Sequence, residues 1–143
     1  MLKLGLGLRS ATNPTGDAAV IALVLKAAFN LIRVEFYLSR GNFADLLRMV
    51  RDYPRSNRPP NAHTIERICY AVDTACIWYW KRTLCLQRSV VAVRLLRSCG
   101  FPAQLVIGAQ GVPFCSHAWA EVNGVVVNDR KSTTEMYTVL ERC

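Results

Sequence analysis

From Cys85 to Ala109 the chain reads CLQRSVVAVRLLRSCGFPAQLVIGA, and its periodicity changes within these residues. Over 85–98, Leu86, Val90, Val93 and Leu96 recur at helical spacing opposite the polar set Arg88, Arg94 and Arg97, which predicts a helix. Gly100 stands where a helix C-terminus favours a residue tolerant of positive φ, and Pro102 follows. Beyond it, Gln104 to Ala109, Phe114 to Val122 and Val125 to Asp129 are short, β-rich and punctuated by turn residues, which predicts strands.

Upstream the signals are helical. Asp17 as N-cap opens a helix to about Leu38, Gly41 ends it, and a short helix follows over Phe43 to Val50. Pro54, Pro59 and Pro60 make Tyr53 to Asn61 a loop. From Ala62 to about Lys81, the positions Ile65, Ile68, Cys69, Val72, Cys76, Tyr79 and Trp80 keep three-and-four spacing. Residues 1–16, with Asn13-Pro14-Thr15-Gly16, read as an irregular arm. Helices first and antiparallel strands second define an α+β fold. At 143 residues the chain is expected to form one domain with a full core. Residues 1–60 are its helical N-terminal part and 61–143 its core.

The composition is 52% hydrophobic and 20% charged, which excludes a disordered chain. The net charge of +8 favours an acidic partner. Its arginines are spread along the chain, with one local cluster at Arg48, Arg51, Arg55 and Arg58. They carry no zinc-finger spacing or RNA-binding aromatic signature, so the charge reads as a solvated face and a nucleic-acid partner is not expected. Cys69, Cys76 and Cys99 fall in apolar helical stretches, where free cysteine acts as a small hydrophobe. Reduced thiols in a cytoplasmic protein are expected. The apolar run Ala18 to Leu25 imitates a signal peptide, but Asp17 precedes it and Lys26 ends it far short of the ~20 residues a membrane span needs. Lys26, Asn30 and Arg33 instead draw one polar stripe along a packed helix.

Chemistry concentrates in the last third. Cys85 opens a predicted helix, while His117 and Asp129 lie on two strands joined by Asn123-Gly124. Thiols ionise near pH ~8.5, and a helix N-terminus and an imidazolium partner both favour the thiolate. In this order the residues supply a nucleophile, a general base and a group that orients the base, hence acyl transfer. The Cys85 amide is the first candidate oxyanion donor, and Trp80, Tyr79 and Gln87 are candidates for the second. Each residue also has an ordinary reading: a core thiol, a structural histidine, a strand-end carboxylate. Cys115, two residues before His117, is a competing thiol, although no zinc-like ligand spacing accompanies it. No metal or cofactor is implied.

The hairpin register sets a condition. A two-residue type I′ turn pairs Val122 with Val125 and His117 with Arg130, turning Asp129 away. A three-residue loop with Gly124 in a bulge pairs Glu121 with Val125 and puts His117 opposite Asp129. The three-residue loop, or an equivalent bulge, is therefore predicted.

Several segments together carry a family pattern: Cys85-Leu86-Gln87-Arg88-Ser89, Leu95-Leu96-Arg97, Gly100 through Leu105-Val106-Ile107-Gly108, Phe114, His117-Ala118-Trp119-Ala120-Glu121 and Asn128-Asp129. Over about residues 84–130 this pattern resembles the lasso-peptide biosynthesis B proteins, in their transglutaminase-like leader-peptidase part. The departure is Cys115-Ser116, where a small apolar residue is more usual. The resemblance implies a papain/transglutaminase-like fold and a cysteine protease with Cys85 as nucleophile, His117 as base and Asp129 as orienter. Its substrate would be a ribosomally made precursor peptide. The freed core would pass to an ATP-dependent cyclase, and leader recognition would fall to a separate winged-helix-like partner, since the short helical N-terminus leaves no room for that domain. Exposed apolar residues of the N-terminal helices are the expected partner surface. Two other readings are another acyl transferase or amidase on the same scaffold, and a non-catalytic scaffold in a peptide-maturation complex.

Overall fold

The computed structural model describes residues 14–60 and 62–143. Four helices come first: α1 Pro14–Ser39, α2 Phe43–Asp52, α3 Ala62–Trp78 and α4 Cys85–Ser98. They are followed by β1 Ala103–Gln110, β2 Cys115–Val122, β3 Val125–Val126, the single turn α5 Thr133–Met136 and β4 Thr138–Arg142. The α+β expectation holds, and the sheet is antiparallel in the order β3-β2-β1-β4.

Several boundaries differ from the sequence reading. Residues 14–16 are helical rather than part of an arm, and residues 1–13 of that arm lie outside the described residues. Asp17 is not the N-cap: Pro14 suits a first helical turn, and Asp17 sits within that turn, where the helix dipole favours a carboxylate. Helix α3 stops at Trp78, short of Lys81. Lys81 leaves the helix and its ammonium donates to Glu35 of α1 at 2.6 Å. Residues 133–142, given no element by the sequence, supply α5 and the edge strand β4.

Helix α4 is the axis of the fold. Gln87 and every residue from Ser89 to Leu96 are buried, because α1, α3 and the sheet cover it on different sides. Val90, Val91, Val93 and Leu96 join Leu31, Val34, Ile68, Val72, Leu105 and Ala120 in one core, each large side chain contributing about 1.5–3 kcal/mol. This overturns a solvated arginine face on α4: Arg94 is only 5% exposed. Just past the Cys99 C-cap of α4, Gly100 has a φ of +90°, and a Cβ there would lie 2.1 Å from the Arg58 carbonyl oxygen. The loop after α2 is thereby pinned to the end of α4, with the Ser56 amide donating to the Arg97 carbonyl at 2.8 Å.

On α1 the buried face is Ala27, Leu31 and Val34. The polar stripe exists, but Asn30 on it turns inward to accept from Arg94. A second, apolar stripe of Ile21, Leu25, Phe29, Ile32 and Phe36 is exposed. Among the described residues, no helix is long and apolar enough to cross a membrane.

Candidate active site

Cys85 is the first residue of α4, and Leu84 before it holds the N-cap position with no side-chain acceptor. The first-turn amides are therefore not capped locally. Gln87 carboxamide oxygen accepts from the Leu84 amide at 3.0 Å, the returning half of a capping box. The amide nitrogen of Gln87 donates to Glu35 at 2.5 Å. Gln87 thus fastens the start of α4 to α1 through its oxygen and one of its two Nε2 hydrogens. Of the other candidate oxyanion donors, Trp80 is 71% exposed and the Tyr79 hydroxyl is buried with no hydrogen-bond partner among the described residues. Lysine 81 holds the Glu35 carboxyl below its usual range; burial opposes this, and Gln87 adds to it.

The strand β2 places His117. Along it, Ala118, Ala120 and Val122 face the helical core, while His117, Trp119 and Glu121 alternate to the other face. Strand β1 pairs with β2 without interruption from Ala103↔Val122 to Gln110↔Cys115. On the opposite edge β3 supplies only Glu121↔Val126 and Val122↔Val125. This is the two-residue turn: Asn123 and Gly124 have φ of 52° and 76°, as type I′ requires. The predicted three-residue loop is wrong.

Asp129 nevertheless meets His117, for a reason the register argument lacked. The ladder stops after the Val127 amide donates to the Ala120 carbonyl at 3.0 Å. Where the next backbone carbonyl would accept, the side chain of Asn128 takes over and its Oδ1 accepts from the Ala120 amide at 2.7 Å. Asn128 Nδ2 then donates to Ser89 Oγ at 2.9 Å, and Ser89 Oγ donates to the Ala118 carbonyl at 2.9 Å. Two side chains thus satisfy the edge of β2 that β3 leaves open, as buried polar backbone demands. The chain bends away over 127–129, and that bend, not a ladder position, carries Asp129 to the imidazole.

His117 Nε2 is hydrogen-bonded to Asp129 Oδ2, and the Arg130 amide donates to Asp129 Oδ1 at 2.7 Å. Burial raises the Asp129 pKa, but the hydrogen bonds from His117 and Arg130, with the charges of His117 and Arg88, outweigh it and hold the carboxyl below its usual range. The ionised Asp129 is therefore an acceptor, so His117 Nε2 carries the proton of this bond. Cys85 and His117 line one pocket of about 110 Å³, together with Phe43, Leu86, Ile107 and Ala118. Ser89 lies one helical turn beyond Cys85, so the network that closes the β2 edge also fixes the start of α4 against it.

One contributor went unread in the sequence. Tyr137, after α5, packs on His117 with ring centroids 5.2 Å apart, and Trp119 lies 6.1 Å away from the imidazole. Gly108, the β1 partner of His117, makes room: a Cβ there would lie 2.8 Å from Trp119 and 2.9 Å from Tyr137 Cβ. Burial first, and then the neighbouring Cys115 thiol, push the Tyr137 phenol up, with Asp129 and Cys85 adding to the shift. A tyrosine in an unassigned segment gave no signal. Ser89 and Asn128 belong to the family pattern, but nothing in the sequence showed that they touch.

The competing thiol Cys115 is exposed at the start of β2, and no group of three or more potential metal ligands occurs among the described residues. Cys69 donates to the Val127 carbonyl at 3.4 Å, and burial pushes its thiol up to about 11. Cys76 and Cys143 are likewise raised, by burial first. The side chain of His63 lies outside the described residues.

A family model described as the transglutaminase-like superfamily matches residues 29–142. Over 56 residues the chain is 41% identical to the microcin J25-processing protein McjB of Escherichia coli. That match covers 39% of this chain and 27% of the relative, so the chain aligns with about a quarter of the relative's length. No solved structure matches. With the match running from within α1 through β4, the chain belongs to the transglutaminase-like superfamily.

Proposed function

We propose that this protein is a cysteine peptidase that removes the leader from a ribosomally made lasso-peptide precursor, with Cys85, His117 and Asp129 as its triad and its helical N-terminal part and core working as a single domain. The observation that carries this reading is the His117–Asp129 hydrogen bond beside a pocket shared with a cysteine at a helix N-terminus. Likeness to a protein named for microcin processing supports the choice of substrate.

In this mechanism His117 Nδ1 takes the Cys85 proton as Sγ attacks the carbonyl carbon of the scissile peptide. The uncapped Cys85 amide donates to the developing oxyanion. Collapse breaks the C–N bond, and His117 returns the proton to the leaving amine, which departs as the N-terminus of the core. Water, deprotonated by His117, then attacks the thioester, freeing the leader as a carboxylic acid and restoring the thiol. A leader-binding protein would present the peptide, and an ATP-dependent cyclase would consume the freed core.

The test is mass spectrometry of precursor peptide incubated with this protein and the leader-binding protein. Expected products are an acid-terminated leader and a core with a free amine, and Cys85→Ala abolishes both. Intact precursor, or unchanged cleavage by Cys85→Ala, refutes the reading. A leader recovered as an amide of added amine identifies a transferase instead.

A further inference from the structure

On the side of α4 away from Cys85, helices α1, α2 and α4 border an open cleft of about 490 Å³. Its charged lining is Arg33, Arg48, Arg94, Asp45 and Asp52, with Tyr53 as a wall. Arg94 lies nine residues beyond Cys85, about 13 Å along the helix and two and a half turns around it. The cleft is therefore separate from the Cys85 pocket.

Arg94 is the unusual member. Only 5% of it is exposed, yet no carboxylate partners it. Its Nε donates to Asn30 Oδ1 at 2.9 Å, its Nη1 lies against the Met49 thioether, and its guanidinium sits 4.3 Å from the Tyr53 ring centroid. Nη2 has no acceptor among the described residues. All ten Asp and Glu residues lie in described segments, and their ion pairs involve neither Arg94 nor Arg33. Burial lowers the Arg94 pKa, and repulsion from Arg33 lowers it further. Buried guanidinium groups without a counter-charge are rare because the desolvation goes uncompensated, and planar guanidinium donors fit carboxylate oxygens.

We propose that this cleft is an exosite that binds one carboxylate, carried by an acidic side chain of a polypeptide. Charge balance favours a carboxylate over a phosphate. Three arginines against Asp45 and Asp52 leave one positive charge, and Asp45 already accepts from Arg48 at 3.2 Å. The walls of Tyr37, Met49 and Tyr53 suit the aliphatic stem of a glutamate, and the net charge of +8 draws acidic ligands.

Binding is read by NMR on 15N-labelled Cys85→Ala protein, titrated with N-acetyl-glutamate N-methylamide, its glutamine analogue and inorganic phosphate. Saturable shifts of the Arg33 and Arg94 Nε–Hε signals with the glutamate probe alone are expected. Arg33→Gln, an exposed position chosen to spare the fold, weakens that binding about tenfold. An equal response to the glutamine probe, phosphate binding as tight as glutamate, or an unchanged affinity in Arg33→Gln overturns the proposal. Competition then locates the source, and only this arm rests on the proposed function. Displacement by precursor peptide, but not by a precursor with its acids converted to amides, assigns the carboxylate to the substrate. Displacement by the leader-binding protein alone assigns it to the partner, and displacement by neither overturns the polypeptide assignment.

Discussion

The two long edges of β2 are built on different principles. Toward β1 every residue from Cys115 to Val122 has a strand partner. Toward β3 only Glu121 and Val122 do, and Ser89 and Asn128 replace the missing strand. The regular edge holds the histidine-bearing strand in place. The irregular edge lets α4 and a bent segment approach it: Ser89 and Asn128 take up the backbone groups that a continued strand would pair. An interrupted ladder, patched with side chains, is how this fold opens a site beside a buried strand.

If the open edge serves chemistry, its end residue has the largest effect. Asp129→Asn retains the size of the side chain but removes the charge that fixes Nε2–H and stabilises an imidazolium. Cleavage is expected to fall about 10²–10³-fold with an unchanged circular dichroism spectrum. A loss under tenfold makes Asp129 a structural residue and the comparison purely architectural.

Next is the patch itself. Asn128→Ala strands the Ala120 amide in a buried position and costs about 1–3 kcal/mol by urea denaturation. Because Asn128 acts through Ser89 on the start of α4 and through the bend on Asp129, it is a positioning residue. Its loss should lower kcat while leaving KM nearly unchanged, whereas a merely stabilising role would restore full kcat under conditions where the variant is folded.

The regular edge offers the matching control. Gly108→Ala introduces a Cβ 2.8 Å from Trp119 and 2.9 Å from Tyr137, an overpacking expected to cost about 1–2 kcal/mol. It should perturb activity less than Asn128→Ala, since His117 keeps its strand partners. The reverse order would show that Tyr137 packing, rather than the patched edge, places the imidazole.

Legibility in the sequence follows the same division. Helix α4, strands β1 and β2, and the α+β order show in the spacing of apolar residues and in the turn residues between them, although burial along α4 and the second half of β2 is continuous. Cys85, His117 and Asp129 stand out as residue types in order. The turn type is not legible, because the ladder ends at Val127 and the Asn128 side chain replaces the next backbone acceptor, a substitution that period cannot reveal. Arg94 was misplaced because a polar residue on an apolar helix reads as solvent-facing, while α4 is covered on different sides by elements distant in sequence. Strand β4 was missed for a related reason: Val139 and Leu140 lie exposed at a sheet edge, with a register shift against β1 at Ile107/Gly108, so the segment shows no clean alternation.

The smallest effect concerns acid. Because its carboxyl is held low in the folded protein, Asp129 binds fewer protons there than in the unfolded chain. Its contribution to stability is complete above the unfolded carboxylate pKa of about 4 and is lost as pH falls through the lower folded value. The loss therefore falls in the acid range between about pH 5 and 3. The difference in urea midpoint between the native protein and Asp129→Asn should therefore narrow across that window. A difference that stays level would mean that burial cancels the hydrogen bonds from His117 and Arg130. The open edge would then hold Asp129 by packing, and the bend after Val127 would owe its course to Asn128 alone.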